Sequence, residues 1–330
     1  MNKLRVGVIG VGHLGSLHAK RFSELASAEL VGVHDSDPAR AESVARDAGC
    51  RSFGTAGELL REVEAVSIVT PTSTHFAIAQ QAMEAGVHVF IEKPITSTPA
   101  QAAALAAMAR SGNLRLQVGH IERFNPALLA LEPYNIEPMF IESHRLAQFN
   151  PRGTDVAVVL DLMIHDIDII LSLVRSDVER IEANGVAVVS PSVDIANARL
   201  QFANGCVANV TASRISQKKM RKMRLFQRDA YISVDFSDGL AEVFRLTGEG
   251  DTSGTSTMML GEIESGSVKR RIVYERPEIK EINALAYELE LFIGAVRAGS
   301  PTAVTAEDGL RALRIAHEII ETIQQQNLRV

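Results

Sequence analysis

At 330 residues, with 46% hydrophobic and 22% charged residues, the chain has the composition of an ordinary globular protein and length enough for about two domains. A formal net charge of -6 excludes a general binder of the nucleic-acid backbone, which needs a basic face. Cys50 and Cys206 stand far apart in no metal-ligand or CxxC spacing, no signal-peptide pattern opens the chain, and no apolar stretch reaches the ~20 residues of a membrane span. Disulfide, zinc and membrane roles are therefore not expected, and the expected compartment is the cytoplasm.

In chain order, β-branched residues crowd between Leu4 and Ile9, and Gly10-Val11-Gly12-His13-Leu14-Gly15 breaks the run ahead of a helical pattern from Leu17 to Leu25. The strand-helix alternation continues through Leu30–Val33, Pro38–Ala48, Ala65–Val69, His75–Ala85, Val87–Ile91, Pro99–Arg110 and Leu114–Val118. Continuous rather than alternating apolar strands between helices predict a parallel sheet covered on both faces. A dinucleotide-binding Rossmann domain over 1–120 follows, with an α/β domain over 121–330 that binds substrate and mediates oligomerisation.

After Gly119 the rhythm changes. A helix is predicted from Ala157 to Val174, then a meander of antiparallel strands at Ile181–Val188, Ile195–Phe202, Cys206–Ser213, Lys222–Gln227, Ala230–Phe236 and Ala241–Leu246. The Gly-, Ser- and Thr-rich stretch Gly248 to Gly266 reads as a linker or mobile loop, and helices at Ile282–Ala298 and Ala306–Gln324 close the chain. The outward face of so broad a sheet is too apolar to stay exposed, which points to a homo-oligomer, dimer or tetramer.

The GxGxxG follows a strand and opens a helix, and Asp35 lies 20 positions beyond Gly15. Gly10 permits the tight turn, Gly12 admits a pyrophosphate close to the backbone, and Gly15 allows helix and sheet to approach; Asp35 is placed to bond the ribose hydroxyls. An aspartate there repels a 2′-phosphate, so NAD is favoured, while His34 and Arg40 nearby leave NADP open.

Glu92-Lys93-Pro94 ends a predicted strand, where open parallel sheets bind their ligands, so Lys93 is placed to hold a substrate hydroxyl. Asp161 and His165, at i and i+4 on the predicted helix, share a face, and a carboxylate that orients an imidazole makes it a better base. A metal set of Asp161, His165 and Asp168 is the competing reading, ranked lower because a nicotinamide oxidising an alcohol needs a base and no metal. The basic run Lys218, Lys219, Arg221, Lys222 and Arg224 reads as a solvated strand edge or an anionic-ligand wall.

Gly10 to Gly15, Thr70-Pro71 followed by His75, Glu92-Lys93-Pro94, and Asp161 followed by His165 together resemble the glucose-fructose oxidoreductase/inositol dehydrogenase/rhizopine catabolism (Gfo/Idh/MocA) family, in order and across most of the chain. The resemblance implies a Rossmann domain joined to a C-terminal α/β domain with a large, mostly antiparallel sheet, bound NAD(P), and redox chemistry on sugars or cyclitols. It implies Lys93, Asp161 and His165 as the catalytic residues, and cofactor contacts from Gly10, Gly12, His13, Leu14, Gly15, Asp35, Thr70, Pro71, His75, Glu92 and Lys93. Val118 to Pro126 and Val159 to Asp168 resemble members acting on nucleotide sugars, UDP-N-acetylglucosamine at its C3 hydroxyl being the nearest. Arg123, Asn125, Arg152 and His165 are then the expected substrate contacts, with Arg145 and the basic run as further candidates for a diphosphate. The rivals are a cyclitol or free-sugar dehydrogenase, an enzyme that retains its cofactor between two substrates, and a non-enzymatic NAD-sensing regulator.

Overall fold

The computed structural model describes residues 3–150, 156–248, 257–265 and 268–327, which divide into two compact units. The first takes the chain up to Ile121 together with Asn283–Arg314; the second takes Glu122–Ile282 and the chain from Ile315 onward. The reading of 121–330 as a single domain is corrected by the helix Ala284–Ala298, whose stripe of Leu285, Leu289, Phe292 and Ile293 is buried in the same core as Leu4, Val6 and Val8. An i, i+4, i+7, i+8 stripe says that a helix has a partner, not which partner.

The first unit runs β1 (Leu4–Ile9), α1 (His13–Glu24), β2 (Ala28–His34), α2 (Pro38–Ala48), β3 (Arg51–Ser52), α3 (Ala56–Leu60), β4 (Ala65–Ile68), α4 (Thr72–Glu84), β5 (His88–Glu92), α5 (Pro99–Ser111) and β6 (Leu116–Gly119). Its six strands pair in parallel in the order β3-β2-β1-β4-β5-β6, the doubly wound arrangement in which chain direction across the sheet reverses between β1 and β4. The loops after β1, β2, β4 and β5 leave the same edge of that sheet. Gly10, Asp35, Thr70 and Lys93 stand on those four loops. β3 and α3 are too short for periodicity to signal them. The Thr55–Glu58 capping box was the available sign of α3, each side chain bonding the other's backbone N–H.

The second unit holds α6 (Pro126–Leu129), β7 (Phe140–Leu146), a π-helical turn (Val159–Met163), α7 (Ile164–Val174), β8 (Val178–Val186), β9 (Ile195–Phe202), β10 (Val207–Ser213), β11 (Met220–Phe226), β12 (Ala230–Asp235), β13 (Leu240–Thr247), β14 (Thr257–Ser265) and β15 (Val268–Glu275). The helix Ala284–Ala298 is α8, and α9 (Ala306–Asn327) follows. Nine strands form one sheet in the order β14-β15-β13-β12-β11-β7-β10-β9-β8, antiparallel throughout except that β7 runs parallel to β10. α7 lies against β7 and β10.

Two corrections concern this sheet. β7 occupies its middle, between β10 and β11, so the strands are not a simple meander. Sequence pattern did not show it, because the residues facing the core are Ile141, Ser143 and Arg145, two of them polar. Within the stretch read as a linker, Thr257–Ser265 forms β14 and pairs with β15; 249–256 and 266 lie outside the described residues. Exposed Met258, Met259 and Leu260 offer no in-out alternation to read. No helix among the described residues is long and apolar enough to cross a membrane.

Candidate active site

Helix α1 opens directly on the glycine turn. Gly10 adopts φ +84°, and a Cβ there would meet Thr70 Cγ2 at 2.7 Å and Val69 O at 2.8 Å. A Cβ on Gly15 would run into the carbonyl oxygen of Gly10, so both positions require glycine for packing. Gly12 differs: a Cβ there would meet no protein atom within 4 Å. The protein's own packing does not explain that glycine, whereas a ligand resting on the loop does. α1 has no side-chain cap and no acidic residue in its first turn, so the positive end of its dipole is left for an anion. His13 and Leu14 supply that turn, and the residues present fit a dinucleotide pyrophosphate.

Asp35 is buried at the end of β2. Oδ2 accepts the N–H of Val11 at 2.8 Å, Oδ1 accepts the N–H of Asp37 at 2.9 Å, and Arg40 Nη1 lies 3.3 Å from Oδ1. Burial acts to raise its pKa, but the two backbone donors and Arg40 outweigh it and hold the carboxyl below its ordinary value. An ionised carboxylate is thereby tied to the glycine turn. His34 turns away, with Nδ1 3.0 Å from the carbonyl of Phe53.

His75 is 1% exposed, with Nε2 2.9 Å from Thr70 O and Nδ1 3.0 Å from Pro94 O. The ring sits between the loop after β4 and the loop after β5, with one nitrogen beside a carbonyl of each. Glu92 is likewise turned inward. Its Oε1 lies 3.1 Å from His18 Nε2, its Oε2 accepts the Lys93 N–H at 3.3 Å, and a Cβ on its cross-strand neighbour Gly119 would stand 2.7 Å from Oε1. Neither His18 nor its partner Ser67, whose Oγ is 2.9 Å from Nδ1, was singled out from sequence. The available signal was a histidine on the apolar stripe of α1, beside Gly15, Ala19 and Phe22. Lys93 itself is half-buried.

In the second unit the chain through Asp161 is π-helical, which corrects the continuous α-helix expected over Ala157–Val174 and with it the simple i, i+4 face. Isolated π turns recur at functional sites, where the extra residue re-aims side chains. Between Val158 and Leu171 every residue is buried except Leu160, Asp161, Leu162 and His165, so the uncovered side of this segment carries both residues singled out from sequence. Its entry is pinned: the Arg214 guanidinium donates to Val156 O and the Val158 N–H to Val193 O, while Asp194 accepts the backbone N–H groups of Val188, Val189 and Ser190 at 2.7–3.0 Å.

Two of the arginines proposed from sequence for substrate, Arg123 and Arg145, are bonded to carboxylates of the protein itself. Arg123 grips the wholly buried Asp168 through two 2.6 Å bonds, which removes Asp168 from the competing metal set. Arg145 is 3% exposed and bonds Asp166 at 2.8 and 3.0 Å and Glu122 at 3.0 Å. Burial works to lower its pKa, and the two carboxylates outweigh it and push it up. Asn125 caps α6 through Ala127 N–H and donates to Phe236 O. Arg152 lies outside the described residues. The basic run belongs to the interior strand β11 rather than to an edge, with Arg221, Lys222 and Arg224 paired to Glu122, Asp235 and Glu142. Lys218 and Lys219 precede the strand and are exposed.

A doubly wound unit whose glycine turn, free helix end and buried aspartate fit a dinucleotide, joined to a unit with a large mixed sheet, defines a nucleotide-dependent oxidoreductase. Residues 4–120 match the oxidoreductase family with an NAD-binding Rossmann fold, and 138–240 match the GFO/IDH/MocA C-terminal domain. A UDP-N-acetylglucosamine 3-dehydrogenase of Acidithiobacillus ferrooxidans is 41% identical over 320 residues, 97% of each chain. A solved structure of the dehydrogenase of that name from the same organism superposes with a TM-score of 0.87 at 39% identity, covering 98% of this chain and 99% of the other. An inositol 2-dehydrogenase of Rhizobium meliloti is 27% identical over 98% of each chain. The chain belongs to the Gfo/Idh/MocA family of NAD-binding oxidoreductases.

Proposed function

We propose that the protein oxidises the C3 hydroxyl of UDP-N-acetylglucosamine to the ketone. The observation that carries this reading is the 41% identity, sustained over 97% of both chains, to a dehydrogenase of that name. Gly10, Gly12, the first turn of α1 and Asp35 would hold NAD, which when bound supplies the hydride acceptor. His165 takes the proton of the sugar hydroxyl, and Lys93 stabilises the oxygen as negative charge develops on it. Asp161 orients the imidazole and stabilises it once it is protonated. The reverse reaction uses the same groups as acids.

NAD is the preferred nucleotide, because Asp35 is held ionised where a ribose 2′-phosphate would have to stand. The test is a panel of UDP-sugars, inositols and free aldoses incubated with NAD or NADP while absorbance at the reduced nicotinamide band is followed. UDP-N-acetylglucosamine with NAD is expected to give the highest kcat/KM. Inositol as the best substrate would move the protein to the cyclitol branch, and equal or better use of NADP would overturn the role of Asp35.

The protein further acts as a homo-oligomer through the open face of its large sheet. Phe140, Phe226, Tyr231, Phe244, Tyr274 and Met258 stand directly opposite one another in a row across six strands, with successive ring centroids 5.0–5.8 Å apart. None of the six is buried. Light scattering at micromolar concentration is expected to report a dimer or larger, and Phe244→Glu to shift it toward monomer; a monomeric wild type contradicts this reading.

A further inference from the structure

His18 has no part in the mechanism above, yet it is one of the more completely enclosed titratable groups in the first unit. It is 0% exposed, its ring meets Phe90 edge-on at 5.4 Å, Nδ1 is hydrogen-bonded to Ser67 Oγ at 2.9 Å, and Nε2 lies 3.1 Å from Glu92 Oε1, a close polar contact without hydrogen-bond alignment. With the proton on Nε2 that contact is attractive, because a carboxylate only accepts, and Nδ1 is then left to accept the Ser67 hydroxyl proton. The other Glu92 oxygen accepts the backbone N–H of Lys93 at 3.3 Å, and Gly119 leaves the carboxylate the space in which it lies. Ser67, His18, Glu92 and the Lys93 main chain thus form one line of polar contacts, rooted in β4 and α1 and ending at the peptide that carries the lysine.

We infer that His18 is a positioning residue for Lys93, acting through the Glu92 carboxylate. The inference rests on the reading of Lys93 as the group that stabilises the substrate oxygen. Charge stabilisation of that kind depends on where the ammonium stands, and a displacement of about 1 Å is enough to cost on the order of 10²-fold in rate. A carboxylate held only by Lys93 N–H has rotamers to choose from; one also held by a packed imidazole does not. Glutamate at 92 sets one oxygen on the Lys93 N–H and the other 3.1 Å from His18 Nε2. In Glu92→Gln one position becomes an NH2 group, which the line tolerates only if His18 moves its proton to Nδ1 and accepts at Nε2, with the Ser67 oxygen now accepting.

The test uses the full-length protein with NAD and the substrate identified by the panel. His18→Leu and Glu92→Ala are each expected to lower kcat about tenfold to a hundredfold, with KM and NAD affinity unchanged and cooperative melting retained. His18→Gln, which can still donate to Glu92 and accept from Ser67, is expected to recover most of the rate. Because His18 acts through Glu92, the double variant should be no slower than Glu92→Ala alone. Nitrogen NMR of 15N-histidine-labelled protein supplies a readout apart from turnover: Nε2–H in the wild type and Nδ1–H in Glu92→Gln. Wild-type kcat in His18→Leu, multiplicative losses in the double variant, or an Nδ1–H tautomer in the wild type overturns the inference. Normal turnover in Lys93→Ala would instead overturn the reading of Lys93 on which it rests.

Discussion

Replacing His165 with alanine is expected to lower turnover by about 10²-fold or more, the usual scale for loss of a general acid or base, and to leave NAD binding nearly intact. The glycine turn and Asp35, which fit the dinucleotide, belong to a unit that does not contain His165. Lys93→Ala should fall comparably, since an oxygen acquiring negative charge loses its cation. Asp161→Asn should be similar or milder, because an amide can still orient a ring but cannot balance its charge. The pH profile separates the roles. With His165 as the base, alcohol oxidation needs the imidazole unprotonated, so the wild-type rate should decline toward acid and that decline should disappear in His165→Ala. Steady-state kinetics across pH, with calorimetry of NAD binding to each variant, make the measurement; near-normal rates with the same acidic limb in His165→Ala would assign the base elsewhere.

Loss of Arg145 should produce the largest change in stability. Its guanidinium is the shared partner of Asp166 and Glu122, and Asp166 is 2% exposed on the helix that carries His165. Truncating one member of a buried pair leaves the other charge without compensation, at a cost of about 3–5 kcal/mol. Arg145→Ala should therefore melt roughly 10 °C lower in a chain of this size. Exchanging Arg145 and Asp166 together for apolar residues of similar volume should recover much of the loss, because the expense lies in the unpaired charge rather than in the missing attraction. Scanning calorimetry of the single and double variants decides it: a melting point for Arg145→Ala close to the wild type would mean that the network does not hold α7.

Arg145 also shows why part of the site could not be read from sequence. In isolation an arginine that follows Glu142, Ser143 and His144 looks like a surface residue or a grip for a diphosphate. It stands instead on the core face of β7, because its charge is matched by two carboxylates, one 23 residues upstream and one 21 residues downstream. The same pairing hid β7 itself, since a strand with two polar residues on its buried face has no apolar alternation. Asp168 and Arg123 repeat the lesson from the opposite side. A carboxylate three residues after His165 has metal-ligand spacing, and only the bond to Arg123 assigns it to the structure of the protein.

What the sequence by itself determined was local: apolar runs of strand length, a glycine spacing set by a tight turn and a close helix, an aspartate 20 residues on, and a lysine at a strand end. Each depends on neighbours in the chain or on a repeating unit of about 30 residues, and such information survives without a structure. The tertiary structure decided which unit received α8, where β7 and β14 joined the sheet, which charges cancel, and that Glu92 and His75 face inward. Most of those outcomes depend on partners distant in the chain, as α8 does on β1, and the composition of a segment is silent about a charge that is neutralised from elsewhere in the chain.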